Sequence, residues 1–227
     1  MRPKLGFPFS LWLVAIPLAL GLRLFGQGVT VRDGNVYYVD EQKRTRQLTN
    51  DGADSDASLS PDGTTVIFVH RTAIPAGFAE PKNLHPVRNQ ICLVDVSGRR
   101  GLKVVFDATI TVDNHNYATF SEPHLAPDNR HAFFLIDLAV VEFGLVKLDL
   151  GDGRAQMIST ALDWRVIASG RYAGDLLVQR RRQTVDGISV AYWLLAEDGT
   201  VLGLVSQSER EALAFLENPD RRIREPR

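Results

Sequence analysis

Residues 56–71 read DASLSPDGTTVIFVHR. A turn-forming tetrapeptide, Ser60-Pro61-Asp62-Gly63, lies directly against an unbroken apolar run, Val66-Ile67-Phe68-Val69. Proline presets φ at the second position of a turn, aspartate bonds nearby backbone, and glycine accepts the left-handed region. The tetrapeptide therefore joins two antiparallel strands, one ending near Leu59 and the next beginning near Thr64. The second strand is apolar at consecutive rather than alternate positions. That pattern fits a strand covered on both faces, as when sheets stack.

The pattern recurs. Leu125-Ala126-Pro127-Asp128-Asn129 precedes Ala132 to Ile136, and a weaker copy, Ile167-Ala168-Ser169-Gly170-Arg171, precedes Asp175 to Val178. Counted from Ser60, Ala126 and Ala168, the copies lie 66 and then 42 residues apart. The second spacing is close to the ~40–45 residues of a four-stranded propeller blade. The first is longer because Thr72 to Arg88 (TAIPAGFAEPKNLHPVR), rich in proline and polar residues, reads as an inserted loop. After each turn the order is strand, loop, strand, Gly turn, strand. The Gly turns are Ser97-Gly98, Gly151-Asp152-Gly153 and Glu197-Asp198-Gly199. A shorter unit precedes these three, with strands over Val29–Arg32, Asn35–Val39 and Arg44–Leu48. Ser208 to Asn218 reads as a short amphipathic helix capped by serine, followed by a basic tail, Arg221 to Arg227.

Composition sets the outer bounds. The chain has 227 residues, 44% hydrophobic and 23% charged, with a formal net charge of −1. That is a globular balance, and it lacks the basic footprint of a nucleic-acid binder. The single cysteine, Cys92, sits in an apolar strand-like run and reads as a small buried hydrophobe. At the N-terminus, Arg2 and Lys4 precede the apolar run Phe7 to Leu22. This is the pattern of an export signal, with small residues Ala19 and Gly21 offering a cleavage site. A retained single anchor is the alternative, and a buried core helix a third. Export or anchoring would place residues from about 28 onward outside the cytoplasm.

Taken together, Arg46-Gln47-Leu48-Thr49, Asp54 to Gly63 and Val66 to Val69 resemble the blade repeat of TolB-like β-propellers. The same repeat occurs in the propeller domains of the dipeptidyl-peptidase and prolyl-oligopeptidase group. Ser121 to Asp128 repeats it with small departures, and the third copy lacks the Pro-Asp pair. The resemblance covers roughly residues 29–205. It implies an all-β, propeller-like array of about three full four-stranded blades plus one partial blade, with a short C-terminal helix. TolB-like proteins carry an α/β domain and a six-bladed propeller, more than this length holds. Three to four units make an incomplete or unusually small propeller, whose open strand edges invite association. Either the helix and the long loop cover those edges, or two chains assemble.

No catalytic constellation stands out. Gly187-Ile188-Ser189-Val190-Ala191 mimics a nucleophile elbow but is followed by another strand, Tyr192 to Leu195. Asp51, Asp54 and Asp56 cluster in a loop, where turn chemistry explains them more simply than calcium does. His115, His124 and His131 lack zinc-ligand spacing. Trp164 and Trp193 read as core, and Arg180-Arg181-Arg182 as a solvated interruption at the end of a strand. No cofactor and no metal site is expected. Rim loops on rigid blades are where binding residues collect. Phe78, His85 and Arg88 in the insertion, and Asp113, His115 and Tyr117 in a second loop, are the candidate contacts.

The expected organisation is an export signal or anchor over 1–27, the propeller-type domain over 28–206, and the helix with its tail over 207–227. The expected function is a non-enzymatic, exported module that binds a protein partner in the cell envelope. It would touch membrane only through its N-terminal segment and would not bind nucleic acid. Two alternatives stay open: a hydrolase or lyase with a rim site, metal-dependent or otherwise, and a structural subunit that completes its propeller as a homo-oligomer.

Overall fold

The computed structural model describes residues 27–73, 87–107, 119–139, 142–185, 187–220 and 223. The calls on Phe7–Leu22, Phe78, His85, Asp113, His115 and Tyr117 lie outside the described residues. Four antiparallel sheets follow one another along the chain. Sheet 1 holds β1 (Gly28–Arg32), β2 (Asn35–Val39) and β3 (Thr45–Gln47). Sheet 2 holds β4 (Asp54–Leu59), β5 (Thr65–Ala73), β6 (Val87–Asp95) and β7 (Lys103–Asp107). Sheet 3 holds β8 (Phe120–Leu125), β9 (His131–Ala139), β10 (Glu142–Asp149) and β11 (Ala155–Ala161). Sheet 4 holds β12 (Asp163–Val166), β13 (Leu176–Thr184), β14 (Gly187–Leu195) and β15 (Val201–Ser206), and the helix α1 (Glu209–Glu217) follows it. Each sheet is a meander in which sequential strands pair. This is the expected arrangement of three full units and one partial one.

The consecutive apolar runs are explained by stacking. In β5, Val66 and Phe68 meet Val36 of sheet 1, while Ile67 between them joins Phe134 and Ile136 of sheet 3. In β9, Phe134 points back to sheet 2, while Phe133 and Leu135 point forward to Trp164, Leu176 and Val178 of sheet 4. In β13 and β14, Leu177, Tyr192 and Leu194 face away from sheet 3. They would be bare on the last sheet, but Ala212 and Phe215 of α1 cover them. The helix thus closes one end of the stack. The C-terminal segment is also pinned to the third turn. The Arg171 amide donates to Asp220 Oδ1 at 3.0 Å, and a Cβ added at Gly170 would fall 2.9 Å from Pro219 Cγ.

Alternation of strand direction sorts the connections between two rims. One rim, the turn rim, carries residues 60–64, 95–98, 126–130, 150–154, 167–175 and 196–200. The opposite rim, the insertion rim, carries Asp33-Gly34, the 48–53 loop, and the points where 74–86 and 108–118 leave and re-enter the array. On the turn rim Asp62 acts as a hub. Its Oδ1 accepts from the Ser60 hydroxyl (2.6 Å), the Thr64 amide (3.0 Å) and the Thr64 hydroxyl (2.9 Å). Its Oδ2 accepts from Asn129 Nδ2 at 2.6 Å, so the first two repeat turns are tied to each other across sheets. The Ser60 hydroxyl, followed by the Thr64 and Asn129 donors, holds the Asp62 carboxyl below the usual range against a smaller desolvation cost. Asp62→Ala is expected to lower stability by about 1–2 kcal/mol, because bonds to a charged acceptor are lost at an exposed site. The effect should be full at neutral pH. It should vanish as pH falls through the lowered folded-state pKa, because protonation removes the same interactions in the parent. Urea denaturation at pH 7 and in acid measures both.

Three sequence-derived details change. The insertion is shorter than Thr72–Arg88, because Thr72 pairs with Arg88 and Ala73 with Val87 as β5 and β6 continue past the core. Arg180 to Arg182 do not interrupt a strand. They lie within β13 and pair with Ala191, Val190 and Ser189. Ser208 occupies the N-cap position of α1, but its side chain makes no cap bond. The Ser206 hydroxyl replaces it, accepting the Ser208 amide at 2.8 Å and donating to Glu211 Oε2 at 2.5 Å.

Candidate functional site

At the insertion rim the 48–53 loop is clamped onto the first hairpin. The Asp54 amide donates to Gly34 O (2.8 Å) and the Gly52 amide to Asn35 Oδ1 (3.0 Å). Gly34 has φ +69, and a Cβ there would fall 2.2 Å from Gly52 O, so only glycine allows this approach. The clamp brings Asp51 to the end of sheet 2.

Across that end runs a polar row. Asp54 pairs in register with His70, His70 with Gln90, and Gln90 with Asp107, one residue from each strand. The row lies on the face that meets sheet 1, because Phe68 and Cys92, two residues further along β5 and β6, pack there. In sheet 3 the equivalent row is Phe120, Ile136, Gly144 and Thr160, which is mostly core. The difference follows from sheet 1, whose described strands number three, so this row has less apolar surface to meet.

The row is internally bonded. His70 Nδ1 lies 2.8 Å from Asp54 Oδ1 and 3.6 Å from Asp51 Oδ2. Gln90 Nε2 donates to Asp107 Oδ2 at 2.5 Å, and Arg88 Nη2 donates to the same oxygen at 3.0 Å. Arg88, the one candidate contact among the described residues, is thus paired and mostly buried, while its Nε has no partner. Beneath the row, burial, with Asp54, Asp107 and Asp51 adding repulsion, pushes the Cys92 thiol up to about 12. That leaves Cys92 the inert core residue its sequence context suggests.

The acidic triplet 51, 54 and 56 is split by a bulge. Pairing shifts between Ser55 and Ser58, Asp56 takes φ 49, and its side chain is exposed. Asp51 does perform turn chemistry, since its Oδ1 accepts the Ala53 amide at 3.2 Å. His70 was not among the candidate residues. The only sequence signal for it is a histidine ending an apolar run, and its partner Asp54 is met through hairpin register.

A second locus follows the innermost strands. Asp56, Glu122 and Asp163 each stand four residues before the residue whose amide closes the hairpin, namely Ser60, Ala126 and Ile167. Glu122 is exposed, yet partial desolvation raises its carboxyl, Asp163 and Asp56 add repulsion, and Arg165 offsets part. Partial desolvation likewise raises the exposed Asp56, and Arg71 opposes it. A carboxyl whose folded pKa exceeds its unfolded value destabilises the fold above that pKa, and the penalty disappears as pH falls through it. Glu122→Gln is therefore expected to raise the melting temperature slightly at pH 7, where solvent screens much of the effect, and to leave it unchanged in acid below the unfolded-state pKa. A lower melting temperature at pH 7 would refute the assigned repulsion.

The other sequence-noted histidines separate. His124 lies edge-on to Trp164 at 5.1 Å, and burial, aided by Arg165, pushes it down to about 4, so it is a neutral, partly buried ring packed on the core. His131 sits on the turn rim, with Nδ1 2.7 Å from Asp128 Oδ2 and 3.9 Å from Glu197 Oε2. Lys147 lies 3.3 Å from that same Glu197 oxygen. Ser189 of the mimic elbow is in β14, with its hydroxyl directed to Arg182 O at 3.5 Å. Trp164 is buried in the core and Trp193 packs partly buried against it.

No protein-family model matches the chain, and no curated protein matches it. Solved structures do. TolB from Acinetobacter baumannii is similar over 79% of this chain and 40% of its own, at 14% identity and a TM-score of 0.51. Dipeptidyl peptidase 4 from Porphyromonas gingivalis is similar over 81% of this chain and 32% of its own, at 12% identity and a TM-score of 0.51. The chain spans less than half the length of either. At these identities the likeness concerns the fold, and the fold is that of a TolB-like β-propeller.

Proposed function

We propose that this chain is a non-enzymatic, exported, propeller-type module that binds a protein partner in the cell envelope through its insertion rim. The observation that carries this is the inequality of the two rims. The turn rim is built of self-bonded turns, the longest 167–175, whereas the chain leaves the insertion rim for its two longest connections, 74–86 and 108–118, beside the Asp54–His70–Gln90–Asp107 row. Variable segments held on a rigid array are the usual place for recognition. Export rests on the charged and apolar residues 2–22, as a cleaved signal or retained anchor. Among the described residues no helix is long and apolar enough to cross a membrane.

Self-assembly is a second reading with its own observation. Among the described residues β1 pairs only with β2, so its other edge is open to a strand from elsewhere. The two readings divide in one experiment, in-cell crosslinking of a C-terminally tagged chain followed by capture and mass spectrometry. A single foreign envelope protein, lost when residues 74–86 are replaced by a Gly/Ser segment of equal length, supports the binding module. Recovery only of copies of the chain refutes it and favours assembly, which also predicts a melting temperature that falls on dilution.

A further inference from the structure

Asp51, Asp54 and His70 reach one point from three places: the clamped 48–53 loop, the first residue of β4 and the outer part of β5. One donor atom from each lies within 4.8 Å of the other two. Acidic clusters alone signify little, but this one has an independent feature. The Asp54 side chain is fully buried, its Oδ1 meets His70, and its Oδ2 has no hydrogen-bond partner. A carboxyl oxygen withdrawn from water and left without a donor carries the full cost of desolvation. The hydrogen bond with His70 Nδ1 answers one oxygen only. Asp51 uses Oδ1 in its own turn and leaves Oδ2 facing the imidazole at 3.6 Å. Two carboxylates and one imidazole nitrogen are therefore convergent, and solvent reaches them through the half-exposed Asp51.

We propose that Asp51, Asp54 and His70 bind a divalent transition cation of the zinc type at the insertion rim, contrary to the expectation of no metal from sequence. Calcium and magnesium prefer all-oxygen sets, whereas a mixed nitrogen and carboxylate set suits zinc and its neighbours. Three protein donors leave a coordination position open to water or to a partner's side chain. The group on the turn rim, Asp128, His131 and Glu197, differs in the decisive respects. Its carboxylates are exposed, Lys147 pairs with Glu197, and none of its oxygens is both buried and unpartnered.

The test uses the metal-free full chain and Zn²⁺ alone. Calorimetry should show one equivalent bound, and Co²⁺ in its place should give a visible absorption band that changes when the nitrogen ligand is lost. His70→Ala and Asp51→Asn should each weaken Zn²⁺ binding by more than the roughly 10–100-fold that loss of a supporting contact costs. His131→Ala should bind as the parent does. Zn²⁺ should raise the melting temperature of the parent and not that of Asp51→Asn, an exposed change that keeps the proposal testable if His70→Ala fails to fold. Three results would overturn the assignment: no Zn²⁺ bound by the parent, binding lost in His131→Ala but kept in His70→Ala, or Ca²⁺ bound as tightly as Zn²⁺.

Discussion

Phe134→Ala is expected to cost about 3–5 kcal/mol, the range for truncating a fully buried aromatic. Phe134 is fully buried in the joint between sheets 2 and 3. Its ring centroid lies 5.2 Å from that of Phe106 and 5.3 Å from that of Phe120, the three coming from three different strands. Phe106 and Phe120 are themselves 5.2 Å apart, so the truncation removes two of three mutual ring contacts as well as leaving a cavity. Domains are stable by only about 5–15 kcal/mol, so this one change removes a large fraction of the total. Urea denaturation should show a lower midpoint with an unchanged slope. A loss below about 1 kcal/mol would mean that the two sheets are not joined through this triad.

Phe215→Asp is expected to make the chain associate more strongly than the parent does. Phe215 and Ala212 are the buried residues of α1 and cover Leu177, Tyr192 and Leu194 on the last sheet. An aspartate there must either bury a charge or release the helix, and release is the cheaper outcome. The exposed sheet would then present a contiguous apolar face beside the outer strand β15, a ready template for other chains. Light scattering after size exclusion should show concentration-dependent oligomers and a stability loss of about 3 kcal/mol or more. Leu213→Asp on the same helix is the control, since Leu213 is exposed and the change should alter neither. A Phe215→Asp protein that associates no more than the parent would show that α1 is not the cover of sheet 4.

Most of the architecture could be read from the chain because its signals are local. Pro61 and Asp62 mark the β4–β5 hairpin, and Asn129 takes φ 52 where Gly63 takes φ 73, as turn chemistry requires. The double-sided runs in β5 and β9 announced stacked sheets, and Ser208 to Asn218 announced the helix, though not which face it would cover. The polar row resisted because it depends on register. An unbulged hairpin counted back from the Leu59–Val66 pair would set Ser55 opposite His70. The bulge at Asp56 instead brings Asp54 there, and a one-residue slip moves every side chain to the other face. Nothing in DSDASL announces that bulge. Arg88 is a candidate contact, and its ion pair with Asp107 follows from the β6–β7 pairing, which the sequence does not announce.

Site-specific photo-crosslinking in cells tests the binding account most directly. One photoreactive residue replaces Ala73, exposed at the end of β5 on the insertion rim, and another replaces Asp152, exposed on the turn rim. A single foreign adduct from position 73 and none from position 152 is the predicted result. Adducts from position 152 alone, or only adducts between copies of the chain, would contradict it.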